Sequence, residues 1–347
     1  MKTMEIANLV RPNIRKLVPY SSARSEFKGK AEVFLDANEN PFETGLNRYP
    51  DPLQWKLKAA ISQLKGVPAE QIFLGNGSDE AIDLVVRIFC EPRQDHILIL
   101  PPTYGMYQVS ADIADVGIRS VSLTPDFQPD VDAILAAADE HSKILFICSP
   151  NNPTGNDVEL ARIRRLCAQF KGIVVVDEAY IDFSQQASCT SLLSEFSNLI
   201  VLQTFSKAWG MAGIRLGMAF ASTEIIQLFN KVKPPYNINQ LTQQIALEAL
   251  ETSQDDYRQL LSTLLSERER LIKGLGELNF VEKIFPSDAN FILVKMDDPN
   301  GTYQYLVEEG IIVRNRNSVH LCAGSLRITV GRPEENDALL TALNKRP

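Results

Sequence analysis

Two charged residues of this chain stand where charge is costly. Lys207 lies in "TFSKAWGMAGIRLG" (204–217), just after the apolar run Leu199 to Leu202 and among small hydroxyl residues. Poor solvation lowers the proton affinity of an amine and frees it to attack a carbonyl carbon. Asp177 directly ends a second apolar run, Ile173 to Val176. A carboxylate shielded from water needs a cation or several hydrogen-bond donors. The plainer readings are an exposed surface lysine and a structural ion pair, and both stay open at this point.

Further polar clusters follow other apolar runs. "GNGSDE" (75–80) offers Gly77, where the backbone can approach a ligand, and Ser78 and Asp79, which open a helix. The free N–H groups of a helix start attract phosphate, although the same residues serve as simple caps. "PPTYGMY" (101–107) brings Tyr104, and "SPNNPTG" (149–155) brings Asn152, as a ligand amide or an Asx turn. Tyr180 lies three residues beyond Asp177, and Thr204, Ser206 and Arg215 surround Lys207 with groups able to cradle a phosphate. Together these parts suit one phosphorylated aldehyde, pyridoxal 5′-phosphate. Its chemistry needs an amine for the aldehyde, a carboxylate at the pyridine nitrogen and fixed phosphate contacts.

The elements that must position these residues can be read as well. Strands are expected at Ile72 to Leu74, Ile97 to Leu100, Ile118 to Leu123, Ile144 to Cys148, Ile173 to Val176, Leu199 to Leu202 and Met218 to Ala221. Several are apolar throughout, as in parallel sheets covered on both faces. Helical patterns at Asp79 to Cys90, Gly105 to Ala114, Val131 to Ala138 and Val158 to Phe170 alternate with them, which predicts an α/β domain from about Tyr49 to Lys233. In such sheets ligands gather beyond the carboxyl ends of the strands, where every cluster above falls. "KVKPPYN" (231–237) breaks the pattern, long helical periodicity runs from Asn239 to about Leu275, and an α+β lobe follows. Its strands are expected at Phe291 to Lys295, Ile311 to Arg314 and Ser325 to Val330, with a helix at Tyr303 to Glu309.

Composition narrows the function. At 347 residues with a net charge of -8, the chain lacks the basic surface that non-specific nucleic-acid binding requires. Five scattered cysteines without a C-x-x-C pair read as reduced thiols, and three histidines make no zinc motif. The first residues lack a secretory apolar core, and no run is long enough for a membrane helix, so a cytoplasmic protein is expected.

The ordered set "GNGSDE", "SPNNPTG", "DEAY", "SKAWGMAGIRLG" and "SLRITVG" (325–331) resembles the fold type I pyridoxal-phosphate-dependent aminotransferases. The motifs "VPYSSAR" (18–24), "LDANENPF" (35–42) and "NRYPDP" (47–52), with Arg314 and Arg327, resemble the histidinol-phosphate branch of that family. The resemblance runs from about Val10 to Arg332. It implies a large domain with a mostly parallel seven-stranded sheet and a smaller α+β domain. It divides the chain into an N-terminal segment joining the small domain (1–45), a large cofactor domain (46–240), a connecting helix (241–275) and the small domain (276–347).

The resemblance also implies roles. Lys207 bonds to the cofactor aldehyde and shuttles the proton, and Asp177 pairs with the ring nitrogen. Asn152 and Tyr180 bond the ring oxygen, and Tyr104 stacks on the ring. Gly77, Ser78, Asp79, Thr204, Ser206 and Arg215 hold the phosphate. Tyr49 reaches the phosphate of a second copy, which implies a homodimer. Tyr20 and Asn38 line the substrate side, and Arg327 assisted by Arg314 binds the substrate anion, where a surface charge on a strand is the plainer reading. The implied reaction is transamination of L-histidinol phosphate with 2-oxoglutarate. An aromatic amino acid aminotransferase, a phosphothreonine-type decarboxylase and a non-catalytic cofactor-binding protein are the alternatives. Trp209 has no role in this pattern.

Overall fold

Strands that are apolar at every position must be covered on both faces, and the computed structural model of the protein shows by what. It describes residues 5–20 and 32–346; Ser21 to Arg24 of the "VPYSSAR" motif lie outside the described residues. The larger sheet holds β1 (Ile72–Asn76), β2 (His96–Ile99), β3 (Gly117–Ser120), β4 (Ser142–Cys148), β5 (Ile173–Asp177), β6 (Leu199–Thr204) and β7 (Leu216–Ala221). Their spatial order is β1-β7-β6-β5-β4-β2-β3. Six strands run parallel, and β7 opposes both of its neighbours.

Because side chains alternate along a strand, each strand but the edge strand β3 feeds two cores. Leu145, Ile147, Val174, Val176 and Val201 enter one, while Ile144, Phe146, Ile173, Val175 and Ile200 enter the other. Before the break at 233, the helices among the described residues are α1 (Pro12–Lys16), α2 (Trp55–Lys65), α3 (Gly77–Phe89), α4 (Met106–Ile113), α5 (Val131–Ala137), α6 (Leu160–Gln169) and α7 (Thr223–Val232). Leu57 and Ile61 of α2, Ile134 of α5 and Ile163 of α6 cover the first face. Ile82 and Val86 of α3, Tyr107 of α4 and Phe229 of α7 cover the second. Each fully buried aliphatic side chain contributes about 1.5–3 kcal/mol relative to exposure, so covering both faces decides the layer order.

The single helix expected over 241–275 is two, α8 (Gln240–Thr252) and α9 (Gln254–Gly276), interrupted at Ser253. Thr252 turns its hydroxyl back onto the Glu248 carbonyl at 2.8 Å, a bond by which hydroxyl side chains compete with the helix ladder. A second, antiparallel sheet follows, with β8 (Val281–Ile284), β9 (Phe291–Met296), β10 (Arg314–Asn315) and β11 (Ser325–Thr329) in the order β10-β11-β9-β8. Leu271 and Leu275 of α9 pack on it with Leu306 of α10 (Pro299–Glu308) and Leu339 of α11 (Pro333–Asn344).

Polar bonds fix this second sheet over the carboxyl ends of the first. The buried Arg268 of α9 donates to the carbonyls of Phe183, at 3.3 Å, and Ala289, at 3.0 Å. The Asp288 N–H donates to the Gly155 carbonyl at 2.7 Å, and the Asp157 N–H to the Asp288 carboxylate at 2.9 Å.

Candidate active site

A cleft of about 770 Å³ opens at the edge where β1, β2, β4, β5 and β6 end. The antiparallel β7 contributes its start to the same edge, which is why Arg215 arrives there. The lining includes Gly77, Ser78, Asp79, Tyr104, Asn152, Asp177, Tyr180, Thr204, Ser206, Lys207, Arg215, Arg314 and Arg327. Tyr20, Asn38 and Tyr49 are not among the lining residues. Tyr20 and Asn38 are exposed, and the half-exposed Tyr49 stacks on Tyr236 with ring centroids 4.4 Å apart.

One end of the cleft is made of backbone. Gly77 has a left-handed φ of 71°, and its N–H donates to the Arg215 carbonyl at 2.8 Å. A Cβ on Gly217 would lie 2.2 Å from backbone atoms of Gly77 and Ser78, so only glycine lets α3 press onto β7. No side chain caps the start of α3, whereas Asp130, Ser222, Asn239 and Asp298 cap α5, α7, α8 and α10. The N–H groups that follow Gly77, those of Ser78 and Asp79, are therefore open to an anion. Beside them the hydroxyls of Thr204 and Ser206 lie 3.0 Å apart, and the Arg215 guanidinium is 3.5 Å from Ser206 and 3.6 Å from the Asp79 carboxylate. That carboxylate also accepts from the Tyr104 hydroxyl at 3.1 Å.

The floor holds Asp177, which is 3 % exposed. It accepts from the Tyr107 hydroxyl at 2.8 Å and the Ala179 N–H at 3.2 Å, and has no ion pair among the described residues. Burial pushes its carboxyl up to about 6 in spite of those bonds. Lys207 stands nearby with its Nζ 5.5 Å from the Tyr180 ring centroid. Burial, and after it the Arg327 guanidinium, lowers the proton affinity of this amine. An amine that sheds its proton readily can act both as nucleophile and as base.

The second sheet supplies the roof. Arg327 of β11 donates to the Asn152 side-chain oxygen, a bond between residues 175 positions apart, and its guanidinium lies 5.1 Å from the Phe291 ring. The neighbouring Asn151 instead ties two loops together, donating to the Pro102 carbonyl at 2.9 Å. Trp209 stays out of the cleft lining, stacked on Tyr257 at 4.0 Å and tilted against Phe205 at 5.3 Å.

Sequence reasoning missed Tyr107, Cys148 and Arg316. Tyr107 follows Tyr104 by three residues and stacks on Phe146 at 4.6 Å while holding Asp177; helical spacing was its signal. Cys148 is the last residue of β4, and the sequence marks it only as one of five scattered reduced thiols. Arg316 follows Arg314 by two, the strand period that places both on one face.

Residues 27–343 match the family model described as "Aminotransferase class I and II". A histidinol-phosphate aminotransferase of Parabacteroides distasonis is 56% identical over 339 residues, 98% of either chain. One of Bacteroides thetaiotaomicron is 54% identical over 346 residues, 99% of either chain. The crystal structure of the histidinol-phosphate aminotransferase from Clostridium acetobutylicum superposes with a TM-score of 0.79 at 25% identity, over 86% of this chain and 90% of that one. The Sinorhizobium meliloti structure, a histidinol-phosphate aminotransferase in complex with pyridoxal 5′-phosphate, shares the fold with a TM-score of 0.77 at 23% identity, over 85% and 82%. With sequence and fold matched over nearly the whole length, and an amine facing a buried carboxylate where the strands end, the chain belongs to the class I and II aminotransferases.

Proposed function

We propose that the protein transfers the amino group of L-histidinol phosphate to 2-oxoglutarate, giving imidazole acetol phosphate and glutamate in histidine biosynthesis. One observation carries this reading. A single cleft holds an amine of lowered proton affinity, a buried carboxylate and, on the second sheet, the guanidinium groups of Arg314 and Arg327, neither carboxylate nor guanidinium with an ion pair among the described residues. The names of the relatives at 56 and 54% identity support the choice of donor.

Pyridoxal 5′-phosphate fits the residues present. The uncapped start of α3 beside Arg215 suits its phosphate, and the buried Asp177 suits its protonated ring nitrogen. When bound, it supplies an aldehyde that takes up the amino group and a ring that draws electrons from the substrate α-carbon. Lys207 would be the nucleophile towards that aldehyde and would hold the proton taken from the α-carbon. Asp177 would hold positive charge at the ring nitrogen, Asn152 and Tyr180 would donate to the ring oxygen, and Tyr104 would cover the ring face. The Ser78 and Asp79 N–H groups, with Gly77 leaving room beside them, would hold the phosphate together with Thr204, Ser206 and Arg215. Arg327, assisted by Arg314, grips the anionic group of each substrate in turn, phosphate on the donor and carboxylate on the acceptor.

The active unit in this reading is a homodimer with shared sites, in which Tyr49 serves the cleft of the second copy. The half-exposed Tyr49, outside the lining of its own cleft, and the exposed apolar side chains of Trp55, Leu241 and Ile245 support it. Tyr20 and Asn38 line the substrate side from the N-terminal segment in this reading. Five buried cysteines without a disulfide support a cytoplasmic setting.

Steady-state assay of purified protein with 2-oxoglutarate tests the donor. The expected result is a kcat/KM for L-histidinol phosphate at least about 100-fold above that for phenylalanine or tyrosine, because a single carboxylate on an aromatic amino acid leaves part of a site built for a phosphate dianion unpaired. Preference for the aromatic amino acids would replace this reading with an aromatic aminotransferase. Release of CO2 without an oxo acid would replace it with a decarboxylase.

A further inference from the structure

The cleft contains a guanidinium that this reaction scheme leaves without a task. Arg316 lines it together with Arg314 and Arg327. Arg314 is the Cα partner of Arg327 across the β10–β11 pair, and the Arg316 N–H donates to the Ser325 carbonyl at 2.9 Å, which carries the same register one step further. Side chains two apart on a strand share a face, so backbone pairing turns all three arginines towards the cleft.

None of the three has a carboxylate within ion-pair distance among the described residues. Most other arginines do, as Arg119 with Asp139 at 2.8 Å and Arg270 with Glu267 at 2.7 Å. The Nε atoms of Arg316 and Arg327 are buried without a hydrogen-bond partner. Burial, then the charges of Arg327 and Arg314, lowers the proton affinity of Arg316. Like charges gathered out of water without a counter-ion are costly, and an anion placed among them removes that cost.

A phosphate monoester carries about 1.5 to 2 negative charges near neutral pH, whereas a carboxylate carries one. Arg327 already spends one N–H on Asn152. We propose that Arg316 is a substrate-binding residue that supplies the additional positive charge required by a phosphate dianion, alongside Arg314 and Arg327. The inference rests on the aminotransferase reading of this cleft and deepens it. Arg316 thereby sets how strongly the site prefers a dianionic donor over one bearing a single carboxylate. The charged and titratable groups that act most strongly on it are Arg327, Arg314, Cys322 and Tyr180, and burial pushes the Cys322 thiol up to about 11 and the Tyr180 hydroxyl higher still. None of them changes charge in the range where the phosphate loses its second proton.

The test compares the holoenzyme with Arg316→Gln and Arg316→Lys. Arg316→Gln is expected to raise KM for L-histidinol phosphate about 10- to 100-fold, the worth of one charge-assisted pair, with a smaller change in kcat. In the unsubstituted enzyme KM should fall as the donor loses its second proton near pH 6, and in Arg316→Gln that fall should flatten. Arg316→Lys should recover part of both effects, because it restores the charge without the planar fork. Calorimetric titration of the holoenzyme with inorganic phosphate should show a weaker Kd for Arg316→Gln by a similar factor. An unchanged phosphate Kd, or a KM raised equally at every pH and not improved by lysine, would overturn the inference. If Arg316→Gln does not fold, the lysine variant decides through the same two measurements. Should the unsubstituted enzyme fail to use L-histidinol phosphate at all, the proposed reaction falls, while the phosphate titration still decides the role of Arg316.

Discussion

Asp177 destabilises the fold around it whenever it ionises without a cation. Its carboxyl sits near about 6 in the folded chain, against about 3.9 in an unfolded one. Across that window the folded state holds more protons, so stability falls as pH rises from about 4 to about 6, by on the order of 2–3 kcal/mol in all. The cofactor-free Asp177→Asn protein should therefore melt above the cofactor-free wild type at pH 8 and not at pH 4. Thermal melts at both values check this, and an equal shift at both would show that ionisation is not the cause. Asp177 and Lys207 were legible in the sequence because each stands at or just beyond the end of an apolar run. Tyr107 and Arg316 were not, because their relevance depends on which face a neighbouring element turns towards the cleft.

At the scale of elements, the approach of α3 to β7 is the contact on which the proposed phosphate end depends. Gly217→Ala would set a methyl 2.2 Å from the backbone of Gly77 and Ser78, where no flexible side chain can yield. The helix start must move, at a cost of about 1–3 kcal/mol from overpacking. Cofactor titration should show a weaker Kd for pyridoxal 5′-phosphate, together with a lowered Tm. A lowered Tm with an unchanged Kd would separate packing from phosphate binding and remove α3 from that role. All seven strands of the large sheet were legible, and in β1, β4, β5, β6 and β7 this is because the apolar run is buried on both faces. The helices α1, α2, α7 and α11 were not assigned from the pattern. In α2, Lys58 is buried with Leu57 and Ile61, which hides the apolar stripe among lysines. The edge strand β8 escaped a separate assignment because two of its four residues are exposed charges.

At the scale of the whole molecule, the proposed dimer makes each site a joint product. Tyr49→Phe keeps the stacking on Tyr236 and removes only the hydroxyl, while Lys207→Ala removes the amine. Mixed under conditions of subunit exchange and limiting cofactor, the two inactive or weakened proteins should regain activity. Up to about a quarter of all sites would then carry both native residues. No recovery despite demonstrated exchange would place Tyr49 outside the partner's site. The sequence by itself determined the class of chemistry, because a polar residue that ends an apolar strand has little choice of where to stand. Tertiary structure alone decided which cations face that chemistry. Asn152 and Arg327 meet across 175 positions, and the pairing of Arg314 with Arg327 turns a second sheet's arginines onto the ends of the first. Local periodicity carries no record of such a contact, since it arises only when two separately folded layers close on each other.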